Sequence, residues 1–192
     1  MQGPTALLWR VWMAALLLLV LMLVILAPLP ARAQGVELLT LRTARDESAL
    51  YLEFAARVTL PRAVEDALQR GVPIYFVAEA QLFRSRWYWR DERVARVSRS
   101  WRVAFQPLTS SWRVGLGGLN QSFPSLAEAM ASVSSSGGWK LADLAAMDLD
   151  KSHYLEFSYR LDSSQLPGPM QFGLVGQGEW AVGVSRSVKV EP

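Results

Sequence analysis

Cysteine is absent from all 192 residues. That absence excludes thiol nucleophiles, thiolate metal sites, iron–sulfur clusters and a lipid anchor on a cysteine at an export cleavage point. Histidine occurs once, as His153, so any histidine-led triad or acid–base mechanism would have to use it, and a multi-histidine metal site is impossible. His153 stands directly before Tyr154 at the start of a predicted strand, where a histidine reads as a solvated or hydrogen-bonded structural residue. Also missing are a glycine-rich phosphate loop, a G-x-S-x-G elbow and an S-x-x-K tract. Gly115-Leu116-Gly117-Gly118 lacks the downstream glycine of a dinucleotide fingerprint.

Carboxylates are present but poorly arranged for chemistry. Asp148 and Asp150, with Asp143 upstream and Lys151 beside them, lack the ordered oxygens and glycine of a calcium loop and read as a solvated turn. Asp91 and Glu92 sit among arginines, where surface ion pairing is the expected role. Asn120-Gln121-Ser122 spells a glycosylation sequon that reads as a chance match. No catalytic residue, cofactor or metal is expected, which leans the reading away from an enzyme.

Long hydrophobic runs are confined to one place. Trp9-Arg10 precedes an apolar run over residues 11–27, followed by Pro28-Leu29-Pro30 and Ala31-Arg32-Ala33. A positive start, an apolar stretch, helix-breaking prolines and a small-x-small site predict a secretory leader over residues 1–33 with a mature start at Gln34. The alternative is an uncleaved inner-membrane anchor, since about 17 apolar residues reach the lower limit for a bilayer span. Either way residues 34–192 are expected to be exported to the periplasm as a single β-rich domain. Losing Arg10 and Arg32 moves the balance from 20 basic and 17 acidic residues to 18 and 17. Near-neutrality and the export signal together argue against nucleic acid as a partner.

Past the leader the dominant period is two. Residues 36–42 predict a strand, and Asp46-Glu47-Ser48 a turn. Leu50, Leu52, Phe54, Ala56, Val58 and Leu60 then share one face while Tyr51, Glu53 and Arg57 alternate out. Residues 61–71 carry the end signals of a short helix burying Val64, Ala67 and Leu68. Residues 73–88 predict a long strand with Ile74, Phe76, Ala78, Ala80 and Leu82 on one face. Arg90-Asp91-Glu92-Arg93 turns the chain, and residues 94–108 return with Val97, Trp101, Val103 and Phe105 together. Residues 112–116 predict a short strand followed by a loop rich in glycine, asparagine and serine. Ser125-Leu126-Ala127-Glu128 is a capping box opening a second helix to about Val133, ended by residues 134–138. Residues 139–150 fit a short helix or a strand with turns. Two closing strands are expected at 153–162 and 178–190, with brief pairing over 170–175. The links are too short for parallel crossovers. The predicted fold is therefore mostly β: an antiparallel β-sandwich with two short helices, an immunoglobulin-like arrangement being one form of it.

One tract stands out in this charge-balanced domain: Arg84-Ser85-Arg86-Trp87-Tyr88-Trp89-Arg90-Asp91-Glu92-Arg93, continued by Arg96, Arg99 and Arg102. On a strand, Arg84, Arg86, Tyr88 and Arg90 form one row and Trp87 and Trp89 the other. Arg96 and Arg102 across the hairpin enlarge the cationic side. Arg84, Arg86, Tyr88, Arg90, Arg96 and Arg102 are thus the candidate partner-binding surface, suited to an envelope protein or an anionic envelope component. The competing reading places Trp87 and Trp89 in the core, with arginine stems covering a sheet edge.

Gly71-Val72-Pro73-Ile74, Arg86-Trp87-Tyr88-Trp89-Arg90-Asp91-Glu92, Leu108-Thr109 with Trp112-Arg113-Val114, and Ser125-Leu126-Ala127-Glu128-Ala129 form a recognisable set with Arg160-Leu161-Asp162 and Gln165-Leu166-Pro167-Gly168-Pro169-Met170-Gln171. Together they resemble an uncharacterised domain-of-unknown-function family of proteobacterial exported proteins, often labelled proline-rich signal peptide proteins. The resemblance covers nearly the whole mature region and departs from the family's tryptophan-rich ending after Gly178-Glu179-Trp180. It implies no activity and no catalytic residues. Family genes often lie near a sensor kinase of the nitrogen-regulation type, which implies an envelope role linked to signalling. The expectation is a non-enzymatic periplasmic binding or accessory module of the cell envelope. The alternatives are a membrane-tethered partner of an envelope sensor kinase, through residues 9–27, and a carboxylate-based hydrolase or carbohydrate-active enzyme.

Overall fold

Alternating apolar and polar residues give the chain its strands, and the turn chemistry decides how they pair. In this computed structural model, which describes residues 35–148, 150–166 and 180–190, β1 (Val36–Arg45) and β2 (Ala49–Val58) form the first antiparallel hairpin. Asp46 closes it by accepting from the backbone N–H groups of Ser48 at 2.8 Å and Ala49 at 2.7 Å. Those two donors hold its carboxyl at a pKa of about 2.

Helix α1 (Arg62–Gln69) buries Val64, Ala67 and Leu68. Its end is a Schellman motif: Gly71 sits at φ 82°, its N–H donates to Leu68 O at 2.9 Å, and Val72 N–H donates to Ala67 O at 3.0 Å. Strands β3 (Ile74–Arg84), β4 (Glu92–Gln106), β5 (Ser111–Leu116) and β6 (Leu119–Phe123) follow as successive hairpins. Helix α2 (Leu126–Val133) leads into β7 (Ser135–Asp143) and a 3-10 turn (Leu144–Ala146). Strand β8 (His153–Leu161), a second 3-10 turn (Ser163–Gln165) and β9 (Gly183–Val190) complete the described chain.

The strands make two antiparallel sheets, ordered β1-β2-β7 and β6-β5-β4-β3-β8-β9, and all belong to one compact unit, Ala33–Pro192. The sheets meet on an aromatic cluster. Phe54 of β2 packs its ring against Phe157 at 4.9 Å, Tyr159 at 5.4 Å and Trp101 at 6.1 Å between centroids, so one small-sheet residue touches β8 and β4 together. Ile74, Phe76, Ala78, Ala80 and Leu82 face this core and are fully buried. Tyr159 also donates its hydroxyl to Val133 O at 3.0 Å, which fastens the end of α2 to the sandwich. The mostly-β antiparallel fold with two short helices is the expected one.

Several local expectations need correction. The polar stretch after residue 116 is a strand. Gly117 and Gly118, at φ 54° and 90°, make the two-residue turn of a tight hairpin, and β6 then pairs Leu119 with Leu116 through Phe123 with Trp112. Its polar sequence is that of an exposed sheet edge. Residues 135–138, expected only to end α2, already belong to β7, which pairs with β2 through two register irregularities. That resolves the ambiguity over residues 139–150: strand to Asp143, then the 3-10 turn. Strand β3 stops at Arg84, four residues short of the expected end, and β4 stops at Gln106, which leaves Leu108 fully exposed in the following turn. Strand β9 begins at Gly183, where a Cβ would stand 2.7 Å from Arg160 Cβ and 3.1 Å from Tyr159 O, so β9 docks on β8 more closely than any larger residue permits. The leader expected over residues 1–33 and the pairing expected over residues 170–175 lie outside the described residues.

Candidate partner-binding surface

The β3–β4 ladder changes register between Leu82 and Phe83, pairs Phe83 with Arg93 and Arg84 with Glu92 beyond this bulge, and ends there. Residues 85–91 form a loop at the tip of the hairpin. Its base is fastened on both sides. Ser85 N–H donates to Ser152 O at 2.9 Å. Asp91 accepts from Arg86 N–H at 3.0 Å on one oxygen and from the Tyr154 hydroxyl at 2.9 Å on the other. One carboxylate thus closes the loop on itself and ties it to β8. The Arg86 amide, then the Tyr154 hydroxyl, hold the Asp91 carboxyl below its usual range. Desolvation, followed by the Asp91 bond, pushes the Tyr154 phenol up to about 12, so it stays a donor at neutral pH. Phe83 stacks on Tyr154 at 5.3 Å and 15°, bracing the same corner. Glu92 Oε2 receives the guanidinium groups of both Arg84 and Arg86, and Arg84 first of all lowers its pKa.

Above this base the side chains project into solvent: Trp87 is 93% exposed, Tyr88 70% and Trp89 73%. The reading that buried the two tryptophans is therefore overturned, because β3 ends at Arg84 and the Asp91 fastening closes residues 85–91 into a loop before Trp87 can alternate into the core. The single cationic row is corrected too. Arg84 pairs across the ladder with buried His153, and so lies at the end of the core-facing row, with Glu92 and, at 3.7 Å, Asp148 as its counter-ions. Arg96 pairs with Gln81 and Arg102 with Tyr75, on the opposite face of the sheet. Arg96 is clamped by both oxygens of Glu79 at 3.0 Å, and this bond depresses the Glu79 pKa. Arg99 pairs with Ala78 on the inner face. Its guanidinium lies 5.1 Å over the Trp139 ring and donates to Ser136 Oγ, and burial lowers its pKa. Of the six candidates, Arg86, Tyr88 and Arg90 sit at the tip, Arg84 roots it, and Arg96 and Arg102 lie elsewhere.

Of the candidate carboxylates, Asp91, Glu92, Asp143 and Asp148 are engaged in structure. Asp91 and Glu92 fasten the tip, and Asp143 pairs with Lys140 at 2.6 Å. His153 is buried with Nδ1 at 2.9 Å from Lys151 O, which makes it a hydrogen-bonded rather than a solvated residue. Among the described residues no group of three or more acidic or histidine side chains converges as metal ligands, and no helix is long and apolar enough to cross a membrane. A groove of about 300 Å³ on the outer face, lined by Glu79, Gln81, Glu156, Ser158 and Ser187, is open to solvent.

A family model matches residues 33–189. The chain belongs to the family described as Domain of unknown function (DUF4390). The matched span runs from before β1 to Lys189 near the end of β9, so the DUF4390 region contains both sheets and the whole tip. No curated protein and no solved structure matches the chain.

For this DUF4390 chain, the sequence left the burial of Trp87 and Trp89 open, and did not single out Asp91 and Tyr154 as the pair that fastens their loop. The available signal was Asp91 itself. An aspartate five residues after Arg86 can cap a returning backbone, and a capped loop has no alternation to carry its tryptophans inward.

Proposed function

We propose that this DUF4390 protein is a non-enzymatic binding or accessory module of the bacterial cell envelope, exported to the periplasm, which engages its partner through the tip of the β3–β4 hairpin. One observation carries the reading: Trp87, Tyr88 and Trp89 stand exposed in succession between Arg86 and Arg90, on a loop whose base is held by built hydrogen bonds. Tryptophan, tyrosine and arginine are the residues most often responsible for binding energy at interfaces. Leaving contiguous aromatic surface in water forgoes its burial, which is the signature of a contact site. A fastened base reduces the ordering cost on binding. The leader pattern over residues 1–33 supports export.

A photo-crosslinking side chain placed at Trp89 in living cells tests this. The proposal expects adducts from position 89 and none from Leu108, at the other end of β4. Equal labelling at both positions, or none at 89, contradicts it. A tethered form of the same module is favoured by the apolar run over residues 11–27, and N-terminal sequencing of the native protein separates the two forms. A start at Gln34 means the leader is removed; a start at Met1 means it is kept.

A further inference from the structure

We infer that the tip of residues 85–91 docks on the surface of an anionic phospholipid bilayer, with Trp87, Tyr88 and Trp89 seated at headgroup level; this rests on the tip being the contact site proposed above. The first argument is the chemistry of the side chains. Indole and phenol rings combine an apolar body with a polar edge and concentrate at the membrane–water interface, where both halves are satisfied. The second is charge. The acidic groups of the loop are consumed internally, Asp91 by the Arg86 amide and Tyr154 and Glu92 by two guanidinium groups. Arg90 is exposed and has no partner among the described residues, and Arg93 reaches only Gln81, at 3.3 Å. The charge that residues 85–93 leave uncompensated is therefore positive, which complements anionic headgroups.

The third argument is shape. The aromatic groups crown the loop at the hairpin tip, where the Trp87 and Tyr88 rings meet edge to face at 4.9 Å and both stay exposed. A protein partner would need a pocket cut to this crown, whereas the headgroup region deforms around it. Rigidity is the fourth. With one end of the loop tied to Ser152, just before β8, and the other to Tyr154 of β8, insertion needs no folding of the segment.

The absence of cysteine makes the test specific, because a single introduced thiol is the only labelling site. The full chain carrying Tyr88→Cys, modified with an environment-sensitive dye, is mixed with vesicles of phosphatidylcholine and phosphatidylglycerol in equal parts, and with phosphatidylcholine alone. The apolar run of residues 11–27 can carry the chain onto any vesicle, so the readout is local to the dye. Leu108→Cys, about 50 Å of strand away, is the control. We expect a blue shift at position 88 on the anionic vesicles, none at 108, and about fivefold weaker response for Arg90→Gln. A dye at 88 that stays water-like on anionic vesicles overturns the inference, as does an equal shift at 108 or an unchanged response in Arg90→Gln. If the vesicles are silent while position 89 crosslinks to an envelope protein in cells, the lipid assignment falls and the binding-module reading stands. If both are silent, both fall.

Discussion

Truncating Phe54 to alanine removes the ring on which the two sheets meet, and the cost can be worked from its surroundings. Phe54 is 3% exposed and touches Phe157, Tyr159 and Trp101 within 6.1 Å of its centroid. Buried Phe→Ala changes cost roughly 3–5 kcal/mol, and a ring with three aromatic partners on the facing sheet belongs in the middle of that range or above it, at about 4 kcal/mol. Domains of this kind have about 5–15 kcal/mol in total, so the loss is a large fraction of what holds the sandwich. With a urea slope of about 2 kcal/mol per molar, the midpoint should fall by about 2 M. The assay is a urea titration of residues 34–192 followed by far-ultraviolet circular dichroism, with Leu108→Ala as the control. Leu108 is fully exposed, so its truncation should move stability by no more than about 0.5 kcal/mol. A midpoint shift under about 0.5 M for Phe54→Ala would refute the packing of the two sheets through this residue.

Tyr159→Phe deletes only the hydroxyl that donates to Val133 O and should cost about 1–2 kcal/mol, read as a lower melting temperature; an unchanged melt would show that α2 is not held this way. Gly183→Ala forces a Cβ to 2.7 Å from Arg160 Cβ and should destabilise by about 1–3 kcal/mol, with faster hydrogen exchange in β8 and β9; exchange at the wild-type rate would contradict the close docking. The tip should loosen in acid. The folded pKa values of Asp91 and Glu92 are lowered, so their fastening is complete above the ordinary values of 3.8 and 4.5 and is lost as pH falls through the depressed ones. Exchange of the Arg86 amide, corrected for intrinsic rate, should stay protected from pH 5 to 8 and lose protection only once the pH has fallen below the ordinary carboxylate value of 3.8; loss of protection at or above that value would mean that Asp91 does not hold the loop.

The sheet content was legible because apolar alternation is a long signal. Ile74 to Leu82 keep strict period for nine residues, and their partners across the ladder keep it too, apart from Arg99. Helix ends were legible from local chemistry, as Gly71 and Ser125 show. Strand β6 was not, because its residues are polar at every position but its ends, and its pairing depends on Gly117 and Gly118 at positive φ rather than on burial. The setting of Arg99 was not legible for the complementary reason. Its face is set by strand register, and what makes a charge tolerable there is Trp139, 40 residues further on, which no local pattern reveals. The tip combined both problems. Alternation was extended through residues 85–88 where the Asp91 bonds to the Arg86 amide and to Tyr154 close a loop instead, so composition identified the segment while its geometry waited on β8.

On the proposed function, the Trp87-Tyr88-Trp89 crown is exposed in the isolated protein and covered where the protein works. Hydroxyl-radical footprinting of the full chain, purified and in intact envelopes, measures this side chain by side chain. Strong modification of all three rings is expected in the purified protein, with protection of all three in the envelope and equal modification of Leu108 in both. Equal modification of the crown in both settings would contradict it.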